Sequence, residues 1–141
     1  MFPVNEIHQA FLETLLRNVD GVAGTVHEQR GEDLYLTAAQ NIPPPVIALV
    51  THVPHGKGMA GVAQVKKQPV QTCNLQTDDD TGTIKPGAKA VNAQAAIALP
   101  VLDDDGGVRA VVGVAWADER ELDSEFEQSM MRLAATLPRT D

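Results

Sequence analysis

Cysteine is almost missing from this 141-residue chain, with Cys73 the only one. A single thiol closes no internal disulfide, which excludes a disulfide-stapled scaffold and fits a reducing compartment. Aromatic residues are scarce as well, 4% of the chain: one Trp, one Tyr and three Phe. The core must then be built mainly from Ala, Val, Leu and Ile, and a bilin or haem would find few rings around it. Positive charge is in deficit. Eleven Lys and Arg against 19 Asp and Glu give a net charge of −8, and a nucleic-acid surface needs clustered cations to hold phosphates, so no nucleic-acid partner is expected. Long apolar runs are absent too. The longest, residues 110–117, falls far short of the ~20 residues of a membrane span. Near the N-terminus no basic segment appears, and Glu6 and His8 interrupt any signal-peptide core. The expectation is a soluble cytoplasmic protein with no membrane partner, folded as a single domain over residues 1–141.

The remaining residues carry clear periodicities. Val4, Ile7, Phe11, Leu12, Leu15, Leu16 and Val19 recur at spacings of three and four, predicting a helix over 4–19 ended by Asp20-Gly21. Two alternating runs, VAGTVHEQ and DLYLTAAQN, flank Arg30-Gly31-Glu32 and predict a hairpin. Pro43-Pro44-Pro45 is expected to block any continuing strand or helix before the apolar run 46–50. A short helix over 59–67 is stopped by Pro69, and PVQTCN reads as a strand. Residues 75–92 have little apolar pattern and predict a long loop. Two strong strands, AQAAIALPVL and VRAVVGVAWA, surround the turn at Asp103-Asp104-Asp105-Gly106-Gly107. Ser124 and Glu127 have the spacing of a capping box before a helix with Phe126, Met130, Leu133 and Leu137 on one face. This order predicts an α+β fold, an antiparallel sheet with helices packed against it.

Gly56, Gly58 and Gly61 spell G-x-G-x-x-G, the spacing of a dinucleotide loop. That loop needs a buried strand running into it and a long helix after it. Here Pro54 precedes the glycines and Pro69 follows after barely two turns, so the glycines read as a sharp bend and a close helix–sheet approach. His52 and His55 in H-V-P-H have no second ligand pair nearby and read as a solvated bend, with no metal expected. Asp78-Asp79-Asp80 and Asp103-Asp104-Asp105 fail the Ca²⁺-loop pattern, because the twelfth positions are Lys89 and Val114. No Ser/His/Asp or paired-carboxylate arrangement is legible, so no catalytic residue is assigned.

The segment VPHGKGMAGVAQVKKQPVQTCNL resembles the central signature of a GAF domain. AIALPVLDDDGGVRAVVGVAWADERELDSEFEQSMMRLAATL resembles its C-terminal half, and together the likeness covers essentially the whole chain. The resemblance implies about six antiparallel strands flanked by N- and C-terminal helices, and a small-molecule pocket on one face. It also implies a sensory or regulatory role, passed on through a partner protein, with the cofactor unknown. Small stand-alone proteins of this fold include the free methionine-(R)-sulfoxide reductases, and a redox enzyme with altered or lost catalytic residues is the alternative reading. Matched through the landmarks of that family, its three thiol positions hold Val50, Ala60 and approximately Lys89 here, and Ala96 stands where it has an acidic residue. A third reading is an interaction protein whose pocket is filled.

The ligand site is expected between the sheet and the 42–60 and 75–92 segments. His55, Lys85, Lys89 and Asn92 would be its polar groups, and Cys73 and Trp116 part of an apolar floor. The two lysines favour a small anionic or polar metabolite. The apolar side chains of 4–19 spread over more than one stripe, which predicts a homodimer through the terminal helices.

Overall fold

The structure, a computed structural model, describes residues 2–72, 95–118 and 122–139. Helix α1 spans Glu6–Val19. It starts later than the apolar spacing suggests because Asn5 is extended and its side-chain oxygen accepts from the amides of Ile7 and His8, at 3.0 and 3.1 Å. At its other end the left-handed residue is Asp20 (φ 60°), whose amide donates to the Leu16 carbonyl. The predicted hairpin follows as β1 (Ala23–Arg30) and β2 (Asp33–Gln40), turning at Gly31.

Strand β2 ends before the prolines, as expected, and a new helix begins on them. Helix α2 (Pro44–Val50) carries Pro44 and Pro45 in its first turn, where a missing amide hydrogen costs nothing and the fixed φ is already helical. Strand β3 (His52–Val53) pairs with β2, Leu34 facing Val53 and Tyr35 facing His52, and is too short to show any alternation. Then come α3 (Gly58–Lys66), β4 (Val70–Thr72), β5 (Ala95–Leu102), β6 (Val108–Trp116) and α4 (Ser124–Ala134). The cap of α4 is Asp123, not Ser124. Its carboxylate accepts from the Phe126 amide at 2.8 Å, while Glu127 turns away to Gln71.

All six strands form one antiparallel sheet in the order β3-β2-β1-β6-β5-β4, the predicted α+β, GAF-like architecture. The two faces differ in side-chain size. Ile97, Leu99, Val112, Val114 and Trp116 point to one face and bury against Leu12 and Leu16 of α1 and Met130 of α4. This is the main core. Of the apolar residues in and before α1, Leu12, Leu15 and Leu16 are buried, while Val4 and Ile7 stay 50% and 52% exposed. Helices α2 and α3 lie over the opposite face, where Leu34, Ala63, Ala98 and Val111 form a smaller cluster. Among the described residues no helix is long and apolar enough to cross a membrane.

Candidate functional site

On that second face the inward positions are small. Cross-strand pairing places Ala98, Gly113 and Thr25 in one row and Ala96, Ala115 and Ala23 in the next. Helices α2 and α3 do not close down onto these small side chains, and the space the missing bulk leaves is not refilled. The result is a cavity of about 470 Å³, floored by these rows and walled by Val46, Leu49 and Val50 of α2 and Met59 and Ala60 of α3. The volume suits a small organic molecule.

The glycine motif sets one wall. Gly56 and Gly58 adopt φ of 78° and 64°, bending the chain into α3. A Cβ on Gly61 would lie 2.6 Å from the Gly56 carbonyl carbon, so Gly61 lets the helix fold back onto its own entry bend. Gln64 then anchors α3 to the β1–β2 hairpin, donating to Gln29 Oε1 at 3.0 Å and to the Glu32 carbonyl at 2.7 Å.

The most unusual polar group of the cavity is His27, which lines it from β1 and is 3% exposed. Its Nε2 lies 2.8 Å from the Val50 carbonyl. A carbonyl only accepts, so Nε2 carries the proton and Nδ1 is left as a bare lone pair. Nδ1 is buried and has no partner. Burial pushes the pKa of His27 down to about 4, partly opposed by the Val50 hydrogen bond, so the ring is neutral at physiological pH. Thr25 adds a hydroxyl to the floor beside Gly113, and Lys57 and His52 line the cavity from exposed positions.

The residues singled out from the sequence separate in space. Trp116 lies on the other face, fully buried, donating from Nε1 to the Val19 carbonyl at 2.9 Å and packing 5.7 Å from the Phe126 ring. Strand alternation puts it there, since the cavity side of β6 takes Val111, Gly113 and Ala115. His55 is exposed and held to the hairpin turn instead of the cavity. Its amide donates to Asp33 Oδ1 at 3.1 Å and its Nδ1 to the Glu32 carbonyl at 3.2 Å. His52 joins the same carboxylate at 2.7 Å and stacks on Tyr35. The His52 hydrogen bond, with that of the His55 amide, holds the Asp33 carboxyl below its usual range. Cys73, Lys85, Lys89 and Asn92 lie outside the described residues. Val50 and Ala60, matched above to reductase thiols, both line the cavity.

His27, Thr25 and the alanine–glycine floor were not singled out from the sequence. A signal existed: over 96–99 and 112–116 large and small residues alternate, Ile97 and Leu99 against Ala96 and Ala98, Val112, Val114 and Trp116 against Gly113 and Ala115. Such alternation marks a sheet with one filled face and one hollow one.

The comparisons with known proteins agree with this architecture. No curated protein matches the sequence. Among solved structures, the GAF domain of a phosphoenolpyruvate-protein phosphotransferase from Coxiella burnetii superposes with a TM-score of 0.74 at 14% identity, covering 93% of this chain and 79% of that one. A GAF domain/HD domain protein from Geobacter sulfurreducens gives 0.71 at 15% identity, over 92% and 86%. Type II free methionine-R-sulfoxide reductase from Thermoplasma acidophilum gives 0.69 at 16% identity, over 92% and 87%. At these identities the likeness is one of fold. The profile of the GAF domain matches residues 3–137, and the chain therefore belongs to the GAF domain family.

Proposed function

We propose that this protein is a ligand-binding sensory or regulatory module whose small-molecule ligand occupies the cavity between the sheet, α2 and α3. The observation that carries the reading is the cavity itself: about 470 Å³ of mainly apolar space over a floor of Ala and Gly. Packed interiors rarely leave such space. Membership in a family of commonly sensory and regulatory domains points the same way. Output then passes through a partner protein that responds to the liganded form. Native mass spectrometry of the purified protein, with a thermal-shift screen of metabolites, tests this. A bound small molecule is expected whose affinity drops at least tenfold in Ala115→Leu, which fills the floor while leaving the main core intact. Binding that survives Ala115→Leu unchanged would place the ligand elsewhere.

The reductase reading has less support. That chemistry passes a thiolate through a disulfide, and the chain has a single cysteine. Val50 and Ala60 offer no sulfur within the cavity.

The reading includes a homodimer. Ile7, 52% exposed on α1, and Val4 just before it leave an apolar strip that a second copy covers by twofold symmetry. Sedimentation at micromolar concentration is expected to show a dimer that Ile7→Glu converts to monomer. A monomeric wild type would overturn the pairing.

A further inference from the structure

The shape of the cavity floor narrows its ligand, on the footing that the module reading above is right. Strands β1, β6 and β5 lie inside the sheet, yet Thr25, Ala96, Gly113 and Ala115 on them are only half-buried. On the opposite face of the same strands Val26, Ile97, Val112 and Val114 are at most 2% exposed. The cavity side is therefore short of a layer of atoms. Where a helix packs on a sheet, that layer is ordinarily the outer part of Val, Leu or Ile side chains. Here the β5–β6 floor is Ala98 beside Gly113 and Ala96 beside Ala115, with no atom beyond Cβ.

One polar group stands on this floor. Thr25 pairs across to Gly113, and its Oγ1 lies 2.9 Å from the position of a Cβ on Gly113, so the hydroxyl projects over the glycine on the cavity side. It has no hydrogen-bond partner among the described residues, and unlike His27 Nδ1 it is open to solvent. A hydroxyl both donates and accepts, so it meets a ligand hydroxyl, carbonyl, ring nitrogen or carboxylate alike. Charge is not selected there. A charged substituent keeps its water at the rim, beside the exposed Lys57.

We infer that the cavity takes a flat ring compound, about two fused rings in extent, lying face-down on Ala96, Ala98, Gly113 and Ala115 with a polar edge atom on Thr25 Oγ1. Neighbouring strands are about 5 Å apart and successive rows on one face about 7 Å, which sets that extent. A flat ring refills a layer one atom thick and touches the whole floor at once. A puckered body of the same carbon count holds half its atoms off the floor. A flexible chain touches along one line and gives up rotamer freedom to do so. Above the ring, Val46 of α2 and Met59 of α3 supply the other apolar side, and the Met59 thioether is well suited to a ring edge.

Matched probes decide it, each titrated at neutral pH into the full chain labelled with ¹⁵N while the amides of Ala96, Gly113 and Ala115 are followed. 2-Naphthol and trans-decahydro-2-naphthol share a carbon skeleton and a hydroxyl and differ in flatness. The saturated alcohol is the more apolar body, so burial alone favours it and fit to the floor favours the naphthol. The expected result is roughly fivefold tighter binding of the naphthol. Naphthalene, which lacks the hydroxyl, should bind about tenfold more weakly than 2-naphthol, and Thr25→Val should remove that difference without weakening naphthalene. The probe comparisons use the unaltered protein and stand even if the variant fails to fold. Equal or tighter binding of the saturated alcohol, with the same amides shifting, overturns the flat-ring rule and leaves the module reading intact. Equal affinities for naphthol and naphthalene, or a difference that persists in a folded Thr25→Val, overturn the Thr25 contact. No shift of the cavity amides with any probe at saturation overturns the inference, and if the metabolite screen is also empty the module reading falls with it.

Discussion

Trp116→Ala is expected to lose about 3–5 kcal/mol of folding stability, the range for deleting a fully buried aromatic side chain together with the cavity it leaves. Trp116 sits where β6 meets both terminal helices. It is completely buried, packs on Phe126 of α4 and donates to the Val19 carbonyl at the end of α1. Deletion therefore empties the largest side chain of the main core and leaves a carbonyl short of a partner. The loss is a large share of the total stability of a domain of this size. Urea unfolding followed by circular dichroism measures it, since the only tryptophan is gone from the variant. Ala115→Leu, one residue away but on the opposite face, provides the contrast: it points into open space and should change stability little. A Trp116→Ala loss below about 1 kcal/mol would show that this core is not what holds the terminal helices to the sheet.

Stability should fall as the solution is acidified from pH 6.5 toward 4, and His27 should account for most of the fall. The folded pKa of about 4 lies below the unfolded value of 6.5. Above 6.5 neither state binds the proton, and the neutral ring contributes its full stability. Between 6.5 and 4 the unfolded chain takes up a proton that the folded chain refuses, so unfolding becomes easier with each step down. At 1.36 kcal/mol per pKa unit the loss comes to roughly 3 kcal/mol. Among the described residues no carboxylate supports a charged ring: burial lowers its pKa and only the Val50 carbonyl opposes it. His8, whose pKa burial also lowers, adds a change of the same sign in the same window. Asp33 and Asp103 have depressed carboxyl pKa values from hydrogen bonds to His52 and Arg139, so their contribution is present above the unfolded value of 3.8 and is lost only on going lower. Denaturant midpoints across pH 7.5 to 4 separate these groups. His27→Gln should flatten most of the slope between 6.5 and 4, and an unchanged slope in that variant would mean the ring is not held neutral by burial.

Much of the fold was legible because long periodic segments report which side is buried. The spacing in 4–19, the hairpin around Gly31 and the strands flanking Gly106-Gly107 all formed close to where the pattern put them. The misreadings are local. The triple proline does follow the end of a strand, but the helix that starts on it was not read, although a proline at a helix start loses nothing. A two-residue strand at His52-Val53 leaves no trace in any alternation. Ser124 was given the capping role that Asp123 takes, a one-residue choice between two good caps.

The site was less legible for a geometric reason. A residue's position in a strand says which face it joins only relative to its neighbours, not which of the two faces is hollow. Trp116 therefore looked available to a ligand until α1 and α4 were seen to cover it. His55 looked like a free polar group and is spent on the hairpin turn. His27 looked like one polar residue in an ordinary strand.

By itself the sequence determined the class of fold: the order of periodic segments specified an antiparallel sheet with terminal helices, as the structure has it. Only the tertiary structure decided that Gly61 serves a close backbone contact, that the alanines of β5 and β6 leave a cavity, and that His27 is buried beside it with one nitrogen bonded to Val50 and one unpartnered. Composition and periodicity are sums over neighbours along the chain. A cavity and an orphaned nitrogen are made by Val50 meeting His27 across 23 positions of sequence, a contact that no local pattern encodes.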